Sequence, residues 1–498
     1  MPASEMALRL WVVLLLWSGL THASELRPIS GTHLIPRSTA ASAPSTKRQT
    51  QTFQVGDPLT VSAFSFQLLG GGHYTTTTKC RFVGTNCYVF VEDVVWGTSH
   101  VPESAIEPLA NAFDLASAAD PSRGIYNITT TLFGPAPDVD GDPRIIIVLL
   151  DILDSPFTGT TVIGYFDVDN QSPPASREIV YVDVNPLDIE GTLARATLAH
   201  EFQHMLHWHA DPDEDKWLDE GCSEYAELAC GYKDTTEAVA NAFLDVPNTS
   251  LTVWEDLPFD FDQAFLYMTY FAQRFGDDAV RSLVGETANG VESVDLVLSE
   301  LGLADRFNDT FAEWTVALFL DGDGNNGLSR VDVRRPLATT VSLPADNINR
   351  KARLWGADYL DLEGNLDALS VSVGSTGDNP LVAILIGQDG GAFIEIAAGQ
   401  TTTVNVYRDD IQSIALTSAG GTSEDYVLTL GAAPDGSSFA ASDFTADGFV
   451  NFADFLLFAA GFGRTGLDVG FVTSYDLNGN FAVDFTDFLI FVGHFATE

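Results

Sequence analysis

Basic residues are scarce in this chain: 24 Lys and Arg stand against 69 Asp and Glu in 498 residues, a formal charge of −45. Nucleic-acid binding depends on neutralising phosphates with Lys and Arg, so that class is excluded, and an anionic membrane surface is disfavoured for the same reason. Cysteine is scarce too, at four, which allows two disulfides at most. Beyond the N-terminus no apolar run approaches the ~20 residues that cross a bilayer. Histidine thins out as well, since after His209 only His494 remains. What is present is 45% hydrophobic and 11% aromatic, enough to fold most of the chain around cores in two to four domains. The acidity then reads as a solvated surface together with carboxylates committed to calcium.

The start, charged through Arg9, apolar from Leu10 to Leu20 and small at Ala23, describes a secretory signal peptide over residues 1–23 rather than a membrane span. The mature protein is therefore expected to be secreted and extracellular, with no membrane span. Residues 24–50, rich in Ser, Thr, Ala and Pro with Arg27, Arg37, Lys47 and Arg48, read as a linker or short pro-segment without a core. Cys80 and Cys87 bracket a short segment and could close it as a disulfide. Cys222 and Cys230 would be about 12 Å apart on one unbroken helix, beyond disulfide reach, so that pair stays open.

The chain is organised around Leu198 to Trp208, LAHEFQHMLHW. His200 and His204 are four residues apart and share a face if the segment is helical. Both imidazoles can then reach one metal, and Glu201 beside them can take a proton from an attacking water. Catalytic zinc takes a third protein ligand, for which Glu220 in WLDEGCSEYAE (217–227) is the candidate. His207 lies about 10 Å along the helix from His200, too far for one zinc. The HExxHxxGxxH alternative fails, because His207 stands where its glycine should be and Ala210 where its last histidine should be. His207 and His209 read as exposed or supporting histidines at a helix end. Cys222 as a zinc ligand explains fewer residues than Glu220.

These two stretches, HEFQHML and WLDEGCSEYAE, resemble the gluzincin metallopeptidases, the superfamily of thermolysin and the zinc aminopeptidases, over roughly residues 125–320. Among gluzincins the chain looks most similar to secreted bacterial hyicolysin-like endopeptidases, and no GxMEN exopeptidase motif is visible. The resemblance implies zinc bound by His200, His204 and Glu220, Glu201 as general base, and Glu224 accepting a hydrogen bond from a ligand histidine. It also implies that the strand before the zinc helix borders the cleft and pairs with extended substrate. Thermolysin relatives stabilise the oxyanion with a downstream histidine. None is suitably placed here, so Tyr267 is the candidate, with Tyr270 as its alternative and core packing of both tyrosines as the competing reading.

The fold class expected is α+β: a gluzincin-like metallopeptidase domain over 51–336, β-rich to about 124, an all-β sandwich over 337–432, and a small α-helical calcium-binding module over 433–498. Strand text runs from Thr52 to Trp96, helical spacing from Pro102 to Ala119, strands at 144–150, 164–167 and 178–183, and helices over 262–275 and 277–301. The Gly- and Asp-separated strands after Leu337 suggest the sandwich. The acidic stretches 138–142 and 321–325 read as turns before they read as calcium loops.

The C-terminus repeats itself, DFTADGFVNFADFLLF from Asp443 and DLNGNFAVDFTDFLIF from Asp476. EF-hand loops place oxygen ligands at positions 1, 3, 5, 7, 9 and 12. The first copy supplies Asp443, Thr445, Asp447, the Phe449 carbonyl, Asn451 and Asp454, and the second Asp476, Asn478, Asn480, the Ala482 carbonyl, Asp484 and Asp487. With Asp at the twelfth position and one helix per loop, the pair resembles dockerin-type repeats, although Phe481 replaces the usual turn glycine. That implies Ca2+ and a cohesin-like or cell-surface partner, against a calcium-stabilised cap with no partner. The function expected is a zinc metalloendopeptidase acting on protein or peptide substrates. The alternative is a catalytically inactive secreted adhesion or scaffold protein, against which retention of Glu201 argues.

Overall fold

The computed structural model describes residues 27–36, 51–67, 71–154, 160–172, 175–236, 239–303, 306–321, 327–364, 366, 368–387, 390–407, 411–433, 442, 444, 450, 452–465, 471–478 and 482–494. The signal-peptide expectation and most of the acidic turn at 321–325 lie outside them. Two compact units divide the chain, one made of 1–116 and 137–205 and the other of 117–136 and 206–498. The architecture is mixed α+β.

The first unit is built on seven strands: β1 (Arg27–Ser30), β2 (Pro58–Ser65), β3 (Gly72–Val83), β4 (Cys87–Glu92), β5 (Ile145–Leu150), β6 (Thr160–Phe166) and β7 (Ile179–Asp183), in the order β1-β6-β7-β5-β4-β3-β2. β5 is a continuous apolar run and β7 is apolar up to Asp183, and both are buried at every position. That pattern belongs to strands covered on both faces, and β5 pairs parallel with both β4 and β7. β2, β3 and β4 pair antiparallel, as the alternating text from Thr52 predicts. Helices α1 (Glu103–Asp114), α2 (Ile125–Phe133) and α3 (Thr192–Ala210) follow in chain order, α2 counting with the second unit and α3 with the first as far as Met205.

Three expectations are corrected here. The strand directly before α3 is β7, which has β6 on one side and β5 on the other and so offers no edge for substrate; local alternation does not encode strand order. Residues 27–36 are not a coreless linker: β1 pairs parallel with β6, and Ile35 is buried in the cluster that holds Phe53, Phe64 and Tyr165. Cys80 and Cys87 are free and buried, as are Cys222 and Cys230. Cys80 Sγ donates to the Phe82 carbonyl at 3.3 Å, and burial pushes its thiol up to about 11.

The second unit opens with helices: α4 (Lys216–Ala229), α5 (Asn241–Leu244), α6 (Pro258–Phe275), α7 (Asp277–Gly285), α8 (Val291–Glu300) and α9 (Phe307–Leu320). Strands follow: β8 (Thr339–Ser342), β9 (Ala345–Ala352), β10 (Asp358–Glu363), β11 (Ala368–Ser375), β12 (Leu381–Ile386), β13 (Gly391–Ile396), β14 (Thr401–Tyr407), β15 (Ser413–Ser418) and β16 (Glu424–Ala432). They form a five-stranded sheet ordered β13-β12-β15-β10-β8 and a four-stranded sheet ordered β14-β11-β16-β9. Leu360, Leu385 and Leu416 of the first share one buried cluster with Leu369, Val371 and Leu428 of the second. Val316 and Phe319 of α9 pack with Tyr359 and Ile384. Short helices α10 (Phe452–Gly461) and α11 (Phe485–His494) close the described chain around Phe458, Val483 and Phe491.

Candidate metal centre

Helix α3 shows no polar face. Ala194, Leu198, Ala199, Phe202, Met205 and Leu206 are buried, and so are Thr197, His200, Glu201, Gln203, His204 and His207. A helix buried all round is ordinarily apolar all round, so this run of covered polar side chains marks α3 out. The ring centroids of His200 and His204 stand 4.8 Å apart, the planes at 75°, as the four-residue spacing predicts. Glu201 is 1% exposed.

β6 lies flat on this helix because of Gly164. A Cβ there would sit 2.4 Å from Thr197 Cγ2 and 3.1 Å from Glu201 Cγ, closer than side chains pack. The glycine was not singled out in the sequence, although its place between Ile163 and Tyr165 marks a close backbone approach.

Two further residues reach the same carboxylate and imidazole from the N-terminal segment. Thr32 Oγ1 donates to Glu201 Oε2 at 2.7 Å and accepts from the Phe166 amide at 2.8 Å. The His33 ring meets His204 edge-on, centroids 5.3 Å apart. Sequence reasoning missed both. The signal available was the cluster Ile29, Leu34 and Ile35 inside an otherwise polar tail, with a histidine in it.

In the second unit, Glu220 is buried on α4, 2% exposed. Gly221 brings α4 against α6: a Cβ there would stand 2.7 Å from Met268 Cγ and 3.0 Å from the Ala264 carbonyl. Glu224 pairs with Lys233, which also holds Glu227 at 3.2 Å. His207 is buried, with Nδ1 3.0 Å from Asp219 Oδ1, which corrects the exposed alternative for it; His209 is exposed. Glu214 accepts from the Gly290 amide at 2.7 Å, and burial pushes its carboxyl up to about 7. His200, Glu201 and His204 belong to the first unit, Glu220 and Glu224 to the second.

Tyr267 is not placed for oxyanion stabilisation. Its ring packs among Trp217, Phe307 and Trp314, its hydroxyl lies 3.0 Å from Thr310 Oγ1, and the residue is wholly buried. Tyr270 is also buried and donates to Glu313 Oε2 at 3.0 Å. A hydroxyl enclosed and engaged this way cannot meet a substrate oxyanion, so both tyrosines are core residues.

The acidic loop 138–142 is a turn held by arginines. Asp142 pairs with Arg144 at 2.8 Å and Asp140 with Arg177 at 3.3 Å, while Asp138 accepts from the Gly141 amide at 2.7 Å. In the C-terminal repeats Asp443, Thr445, Asp447, Phe449, Asn451 and Asn480 lie outside the described residues. Of the remainder, Asp454, Asp476 and Asp487 are buried. Asp487 accepts from the amides of Leu477, Asn478 and Asp484 at 2.7, 3.1 and 2.7 Å. Phe452 and Phe485 are exposed at equivalent points of the two copies, as are Leu456 and Leu489. Among the described residues, no helix is long and apolar enough to cross a membrane.

No family model matches the chain, and no curated protein matches it. Among solved structures, a Bacillus endospore appendage pilus of a disulfide-linked family is 13% identical over 17% of this chain and 82% of its own, with a TM-score of 0.14. A family GH115 4-O-methyl-α-glucuronidase with specificity for decorated arabinogalactans is 9% identical over 60% of this chain and 53% of its own, with a TM-score of 0.13. This chain thus spans about half the length of the second, and at such TM-scores neither likeness carries an argument.

Proposed function

We propose that the chain is a secreted zinc-dependent endopeptidase of the gluzincin kind. The observation that carries the reading is the pair of buried imidazoles one helical turn apart on α3, with Glu201 beside them and Gly164 of a sheet strand packed against its Cγ. The donor set suits zinc, which takes imidazole nitrogen and carboxylate oxygen. His200 and His204 would hold the ion, and Glu220, the buried carboxylate of α4, is the third ligand in this reading. A bound zinc would supply Lewis-acid polarisation of the scissile carbonyl and of the water that attacks it. Glu201 then accepts the proton from that water and returns it to the leaving amine. β6 would take the substrate backbone as an added strand on the side where β1 now lies.

The same reading assigns 337–432 to a β-sandwich and 433–498 to a dockerin-like module that binds Ca2+ and a cohesin-like or cell-surface partner. It is supported by the backbone amides gathered on Asp487 and by the exposed apolar pair repeated on α10 and α11.

The test is metal content of the purified protein measured beside casein cleavage, with and without 1,10-phenanthroline. Stoichiometric zinc with chelator-sensitive cleavage is expected. Absence of zinc would move the assignment to the scaffold alternative.

A further inference from the structure

β6 is the strand over Glu201, and its outer side is already taken. β1 pairs with it in parallel, Arg27 with Thr160 through Ser30 with Gly164, shifting register between Ile29 and Ser30. Beyond that shift the Gly31 amide donates to the Gly164 carbonyl at 2.8 Å. The Phe166 amide, two residues on and on the same side, donates to Thr32 Oγ1. These are the carbonyl and the amide that an added peptide strand would use. From there Thr32 turns onto Glu201 and His33 onto His204.

We infer that residues 27–36 are an intramolecular latch, occupying the groove where β6 accepts an extended polypeptide and engaging the catalytic base until the segment is displaced. This rests on the peptidase reading for its consequence, though the occupancy itself does not. Three features make the segment an inhibitor rather than a substrate. The Thr32 hydroxyl donates to the carboxylate that must accept a proton from water. The Gly31 carbonyl accepts the Leu34 amide at 2.9 Å, so the backbone curls into a 3-10 turn at Thr32–Leu34 and does not run on past Glu201. Ile35, buried beside Phe53, pins the far end.

The latch is strand-paired to β6 and pinned at Ile35, and its tether adds to that hold. A covalently attached segment acts at an effective concentration of about millimolar. Cutting the chain after it converts that to the micromolar concentration of the protein. Arg37, Lys47 and Arg48 follow the latch in sequence and suit a protease that cleaves after basic residues.

Gly31 supplies a way to evict the latch without touching Thr32, His33 or the residues on α3. A Cβ at Gly31 would stand 2.6 Å from Phe66 Cζ and 2.8 Å from Val162 Cγ1, so Gly31→Val should lift the segment off β6. The experiment compares full-length wild type, Gly31→Val, and a full-length variant with a site-specific protease sequence placed within 37–50, uncut and cut. Two readouts are taken: hydrogen exchange of the β6 amides in metal-free protein, and cleavage of a quenched peptide by the zinc-loaded protein. Evicted forms should exchange the Phe166 amide at least tenfold faster and cleave at least tenfold faster than wild type. Unchanged exchange in both Gly31→Val and the cut protein would overturn the latch. Faster exchange with equal, measurable cleavage in all forms would leave the segment in place but overturn its inhibitory role. Faster exchange with no cleavage by any form would retain the occupancy and overturn the peptidase reading instead.

Discussion

Helices α3 and α6 bury comparable chemistry and end in opposite situations. α6 carries Tyr267, Tyr270 and Arg274, all covered, and each finds its partner on one neighbouring helix: Thr310 for the first and Glu313 for the other two. α3 carries His200, Glu201 and His204, equally covered, yet the partners identified for Glu201 and His204 include Thr32 and His33, contributed by a short N-terminal segment. Burial of polar groups therefore does not distinguish a site from a core. What distinguishes them is whether the partner is fixed by the same packing or arrives on a piece of chain that can leave.

The sharpest way to break the comparison is at the two central carboxylates. Glu201→Gln should lower peptide cleavage by about a hundred- to ten-thousand-fold with zinc content and melting temperature nearly unchanged; retained activity would remove Glu201 from its role. Glu313→Ala should do the reverse. It removes the carboxylate that pairs with Arg274 and accepts from the Tyr270 hydroxyl in the interior and should cost about 3–5 kcal/mol in chemical denaturation, with the activity of the folded fraction preserved.

A smaller effect concerns pH. Burial pushes the carboxyls of Glu178 and Asp183 in the first unit up to about 7. Each folded value lies above the unfolded one, so the native state favours the protonated forms. Their contribution is complete below about pH 4 and is lost as pH rises through 7. Unfolding free energies at pH 5 and pH 8 should differ less in Glu178→Gln than in wild type, by on the order of 2 kcal/mol. Smallest is Tyr267→Phe, which removes one buried hydrogen bond and should cost about 1 kcal/mol without changing cleavage. A large fall in cleavage there would restore the tyrosine to the reaction.

Much of α3 was legible because its information is local: a four-residue spacing fixes two imidazoles on one face whatever surrounds them. β5 and β7 were legible because runs of six and four consecutive apolar residues have few other readings. Strand order was not, since which strand neighbours which is settled by crossovers that leave no trace in the alternation. Tyr267 and Tyr270 misled because a helix near a candidate site has several faces, and which one turns inward depends on α9, far along the chain. The segment 27–36 was hidden by composition, its few apolar residues diluted by the Ser, Thr and Pro around them. The C-terminal repeat is plain in sequence, while the fit of its first loop to calcium falls on residues 443–451, mostly outside the described chain.

Gly164 sets a tolerance for the whole arrangement. Its bare hydrogen lets the strand approach the Glu201 side chain, and a single methyl group in its place would meet Thr197 at 2.4 Å and Glu201 Cγ at 3.1 Å. A chain altered there would still have its histidines, its glutamate and a sheet to hold them, with the clearance between floor and roof changed by a fraction of a bond length. Loss of function by that route would leave the sequence motif intact, so a relative that preserves every residue of HEFQH while carrying alanine at this point would be a folded protein to suspect of silence.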